Sequence, residues 1–102
     1  MELIQTYSDA IKALCDTYKV KTLFAFGSVT KNGLKPESDI DFLVDIDNTD
    51  PLSYSDNYFN LKFQLELLLK RNIDLLEQRA IKNQFLKQKI ESSKVLVYGK
   101  GY

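Results

Sequence analysis

The chain has 102 residues, 44% hydrophobic and 27% charged, with 14 basic and 14 acidic side chains. That size and mix suit one globular domain over residues 1–102, and the balanced charge supplies no basic field for stable nucleic-acid binding by this chain alone. Histidine is absent and Cys15 is the single cysteine, which removes Ser-His-Asp and Cys-His catalysis, an internal disulfide and cysteine-rich zinc sites.

The elements follow in chain order. Leu3, Ile4, Tyr7, Ile11, Leu14 and Tyr18 recur at helical spacing and predict one amphipathic helix over about the first eighteen residues, with Cys15 on its apolar side as an inert thiol. Val20 to Phe26 reads as a strand. Val29 to Ser38, with Gly33 and Pro36, predicts a short helical turn and a loop. Ile40, Phe42, Val44 and Ile46 alternate with polar residues as a second strand, from Asp39 to about Asp47. Tyr54, Tyr58, Leu61, Leu65 and Leu68 mark the longest helix, with Ser53 and Asp56 placed to cap its start. Ile73 to Glu77 predicts a third strand, Ile81, Phe85 and Ile90 another helix, and Val95 to Tyr98 a last strand.

This order predicts an α+β domain, α/β-like, with a small mixed sheet and flanking helices. The ten-residue connection after Ser28 is short for a parallel crossover, so strands one and two should be antiparallel. Gly27-Ser28 would then lie beside Asp39 at one end of the sheet. No apolar stretch has the length of a membrane span, and Met1-Glu2-Leu3 does not begin a basic-then-apolar leader, so the expectation is no membrane partner and a cytoplasmic location.

Gly27-Ser28, ten residues, then Asp39-Ile40-Asp41 is the pattern that carries chemistry. Gly27 lets a phosphate approach the backbone, and Ser28 offers a hydroxyl at the start of a turn. Asp39 and Asp41, two apart on a strand, point to one face, where paired carboxylates call for a cation. Without histidine such a cation is held by oxygen, which favours magnesium or manganese over zinc. Asp74 is the charged residue of an otherwise apolar strand and a third carboxylate candidate, an edge-strand position or a nearby lysine being the alternative. Lys31 and Lys35 in the intervening loop could neutralise triphosphate oxygens, or simply be exposed. Asp45, Asp47 and Glu77 read as solvated.

Phe26-Gly27-Ser28 through Lys35-Pro36-Glu37-Ser38-Asp39-Ile40-Asp41-Phe42 resembles the minimal nucleotidyltransferase family of the DNA polymerase β superfamily, and the resemblance spans nearly the whole chain. It implies that Gly27 and Ser28 bind a nucleoside triphosphate, with Asp39, Asp41 and Asp74 as catalytic carboxylates holding two magnesium ions. Thr30-Lys31-Asn32 stands where family members often carry Ala-Arg-Gly, so Lys31 keeps a charge without the bidentate fork. The family further implies transfer of AMP from ATP to a hydroxyl on a helical HEPN-domain partner, this chain being the antitoxin of the pair. Two other readings stay open: a binding module that occludes its partner through Tyr54, Tyr58 and Phe59, and a small-molecule nucleotidyltransferase working as a homo-oligomer.

Overall fold

The computed structural model describes residues 2–30 and 38–99. Helices α1 (Glu2–Thr6) and α2 (Ser8–Thr17) precede strand β1 (Val20–Phe26), which runs into a 3-10 turn, Gly27–Thr30. Strand β2 (Ile40–Ile46), helix α3 (Pro51–Leu69) and strand β3 (Ile73–Glu77) follow, then a second 3-10 turn (Gln78–Ala80), helix α4 (Gln84–Ser93) and strand β4 (Val95–Tyr98). The strands form one mixed sheet in the order β3-β2-β1-β4. β1 is antiparallel to both β2 and β4, and β2 is parallel to β3, with α3 as the crossover that parallel neighbours require.

Side-chain alternation in β2 decides which helix covers which face. Ile40, Phe42, Val44 and Ile46 point into the larger core with Leu23 and Ala25 of β1, Ile11 and Cys15 of α2, and Leu61, Leu65 and Leu69 of α3. Leu43 points the other way and joins Phe24, Phe26 and Ile90 in a smaller core beneath α4. Among the described residues α4 is therefore the helix that covers the second face. Burial pushes the Cys15 thiol up to about 12, consistent with an inert buried group.

Three local expectations are corrected. The first helix is two pieces, because Tyr7 leaves the helical region at φ −101°, ψ 17°. α3 begins at Pro51, a turn earlier than the apolar pattern suggests, since proline is preset for the first helical turn. Ser53 and Asp56 thus lie inside the helix, Ser53 donating to Asp50 Oδ2 at 2.8 Å. Asp45 is also not simply solvated: Arg79 Nη2 reaches its Oδ1 at 3.0 Å and the Ile46 carbonyl at 2.8 Å.

Among the described residues no helix is long and apolar enough to cross a membrane. Leu65 is fully buried while Phe63, half a turn away on α3, is 57% exposed. Leu65→Ala should therefore cost about 3 kcal/mol in urea denaturation, and Phe63→Ala should stay within about 0.5 kcal/mol of the parent.

Candidate active site

Strand register assembles the site. Phe26 pairs with Asp41 across the antiparallel β1–β2 ladder, and Asp41 pairs with Asp74 across the parallel β2–β3 ladder. Paired residues share a face, so Phe26, Asp41 and Asp74 form one row on the α4 side, next to Phe24, Leu43 and Leu76. The row lies where β1 ends and β2 and β3 begin. Asp41 is half-buried, whereas Asp39 and Asp74 are exposed, Asp74 because β3 is an edge strand.

Asp39 is bracketed by the turn that leads from α3 into β3. The Arg71 guanidinium donates to the Ser38 carbonyl at 3.4 Å, and the Ile40 N–H donates to the Asn72 carbonyl at 3.1 Å. Lys70 caps α3 in the left-handed conformation, at φ 56°, and so turns the chain toward this contact. The motif's first carboxylate is thus tied to the strand that supplies the third. Arg71 carried no signal in the sequence, since nothing along the chain relates it to Ser38.

Gly27 is required by two constraints. Its φ is +73°, a region that side chains strongly disfavour, and a Cβ there would sit 2.7 Å from Asp41 Oδ2. The Asp41 carboxylate consequently occupies space that any side chain at position 27 would need. The Thr30 hydroxyl holds the Gly27 carbonyl at 2.7 Å, and the Gly27 N–H donates to Ser93 Oγ at 3.1 Å. Ser28 is exposed beside them.

Burial raises the Asp41 carboxyl above the ordinary aspartate range, and the Asp74 charge raises it further. Lys89 of α4 pulls it back down, and Asp39 adds a smaller upward push. Asp41 is thus the carboxyl of the motif that its surroundings perturb, burial first and the Asp74 charge second. Among the described residues no three carboxylates converge as a ready ligand cluster. Their chemistry still suits a hard divalent cation: all are oxygen donors, and the most buried of them is destabilised by its neighbours' negative charge. Lys31 and Lys35 lie outside the described residues.

A family model described as polymerase beta, nucleotidyltransferase matches residues 9–101. The chain belongs to this nucleotidyltransferase family. A Methanocaldococcus jannaschii relative named "Putative protein adenylyltransferase MJ1379" is 37% identical over 86 residues, 84% of this chain and 85% of the relative. Solved structures share the fold at lower identity. A chain from a structure of a "toxin-antitoxin with AMP-PNP" gives a TM-score of 0.70 at 22% identity, covering 91% of this chain and 73% of that one. A chain from a complex of "tri-AMPylated Shewanella oneidensis HEPN toxin" with "MNT antitoxin" gives 0.65 at 21%, covering 95% and 73%. The mixed sheet with flanking helices is thus the polymerase β-like nucleotidyltransferase fold, as the motif implied.

Two outcomes follow from the site's geometry. A folded-state pKa raised above the unfolded value of about 3.9 means that the protonated carboxyl favours folding. Asp41 therefore stabilises relative to asparagine least at neutral pH, and its unfavourable charge appears as pH rises through its elevated folded pKa. Melting curves should show Asp41→Asn equal to the parent below about pH 3.5 and at least as stable at pH 7. Gly27→Ala should lose roughly 1–2 kcal/mol from the left-handed backbone alone, more if the Asp41 carboxylate must also move.

Proposed function

We propose that this nucleotidyltransferase moves AMP from ATP onto a hydroxyl of a helical HEPN-domain protein, the α–β phosphoanhydride bond breaking and pyrophosphate leaving, and so acts as the antitoxin of that pair. The observation that carries the reading is the pairing of Asp41 with Asp74 at one end of the sheet, with the Gly27 turn against Asp41, within a chain of this family. The relative's name points to a protein acceptor, and the toxin–antitoxin complexes that share the fold point to its kind.

Asp39, Asp41 and Asp74 would hold divalent magnesium, or manganese, as a pair of ions. When bound, such ions neutralise the triphosphate and the charge that builds at the α-phosphoryl group. The chain's own residues divide the remaining work. Gly27 leaves room for phosphate against the backbone, and the exposed Ser28 hydroxyl donates to a phosphate oxygen. Asp74, open to solvent on the edge strand, is placed to accept the proton of an incoming hydroxyl at a carboxylate oxygen.

A second reading, inhibition by occlusion, draws on α3. Leu52, Phe59, Phe63 and Leu67 are more than half exposed, and a groove of about 560 Å³ beside Phe63 and Leu67 opens toward Ser38 and Asn72. A protein seated there would cover the site's rim. Tyr54 and Tyr58 are not available for this role: Arg79 stacks on the Tyr54 ring, and the Tyr58 hydroxyl donates to the Leu75 carbonyl. Of the three aromatics singled out on this helix, Phe59 alone faces outward.

Incubation with the helical partner, magnesium and α-labelled ATP should place label on the partner, one adenylyl mass per transfer. Asp39→Ala should slow labelling about a thousandfold or more, since positioning and charge neutralisation are lost together. Unlabelled partner that is still neutralised in full by Asp39→Ala would establish occlusion instead.

A further inference from the structure

The acceptor for the glycine turn comes from α4, the helix that also carries Lys89. Ser93 ends α4 just before β4, whose first residue pairs with Ala25 near the end of β1, so the topology delivers Ser93 to Gly27. Its hydroxyl accepts the Gly27 N–H at 3.1 Å and donates to the Lys89 carbonyl at 3.2 Å. Both roles of the hydroxyl are thereby used, and its direction is set. With Thr30 on the Gly27 carbonyl at 2.7 Å, both polar groups of this left-handed residue are tied down. Lys89 lies one turn before Ser93 on the same face of α4, its side chain exposed. It makes no ion pair among the described residues, whereas Lys94 pairs with Glu91 and Lys62 with Glu66.

We propose that α4 is part of the nucleotide site: Ser93 is a positioning residue that holds the Gly27–Ser28 turn in its phosphate-receiving shape, and Lys89 binds the outer phosphate oxygens of the triphosphate. This rests on the nucleotidyl-transfer reading above. A nucleoside triphosphate arriving beside three carboxylates meets strong repulsion, so a cation on a flexible stem at the same edge is the natural counterweight. The turn has the complementary need. Its left-handed glycine must keep one conformation whether or not phosphate is present, and the bond from α4 is the long-range tie that does so.

The test is calorimetry of ATP binding by the full chain, with magnesium and separately with EDTA, beside hydrogen exchange at the Gly27 amide. Lys89→Met should weaken ATP binding about tenfold in both solutions, as loss of a charge-assisted contact would, and Lys89→Arg should keep most of it. Ser93→Ala should speed Gly27 exchange and weaken ATP binding about threefold at the size of one neutral hydrogen bond, and Ser93→Thr should restore both. Should Ser93→Ala fail to fold, Ser93→Cys keeps the volume with a poor acceptor and is expected to speed the same exchange. ATP binding that needs magnesium and Asp41 yet is unchanged by Lys89→Met and Ser93→Ala overturns this inference alone. Absence of ATP binding by the unaltered chain overturns the functional reading and this inference with it.

Discussion

The parallel register of β2 and β3 sets Asp41 directly opposite Asp74, and much of the structure can be understood from that pairing. Burial, and after it repulsion from Asp74, raises the half-buried Asp41 carboxyl above the ordinary aspartate range. This row by itself works against folding at neutral pH. It persists because two hydrophobic cores on opposite faces of the sheet hold the strands in place regardless of what their ends carry.

The asymmetry of those cores also explains where chemistry can occur. On one face α2 and α3 bury a continuous apolar layer. On the other, α4 contributes Ile90 to a smaller core, while Ser93, one turn after Lys89, bonds to the glycine turn. Among the described residues α4 is the helix on that side, and Asp39 and Asp74 are exposed, as the proposed triphosphate site would require. The edge position of β3 leaves Asp74 open to an acceptor as well. An edge strand is ordinarily a liability, blunted here by a charge pointing out of it. The same aspartate suits a role that requires access.

Long-range ties give the site its rigidity. Ser38 and Ile40, on either side of Asp39, bond to Arg71 and Asn72, while Gly27 bonds to Ser93. Each motif half is therefore held by an element far away in the chain. Such ties cost loop-closure entropy that the cores must offset, but they leave fewer alternative arrangements for a site that needs one.

Much of this was legible from residues alone. The two central strands, the antiparallel hairpin between them and the motif Gly27-Ser28…Asp39-Ile40-Asp41 follow from alternation, connection length and spacing, which are local properties. Asp74 could be singled out because a lone charge in an apolar strand is visible without a structure. Its register opposite Asp41 could not, because strand pairing depends on how α3 packs and crosses over. The break at Tyr7 and the early start of α3 at Pro51 escaped for a related reason: hydrophobic period locates a helix but says little about its ends. Asp45 looked solvated and is paired, since Arg79 approaches from a turn 34 residues away. Ser93, Lys89 and Arg71 carry no motif, and only the packing of α4 and the α3–β3 turn brings them to the site. Sequence by itself determined which groups are candidates for the proposed chemistry, because residue type and short spacing are written along the chain. Tertiary structure decided which groups support them, because contacts across 33 or 66 residues exist only once the sheet and its helices have closed on each other.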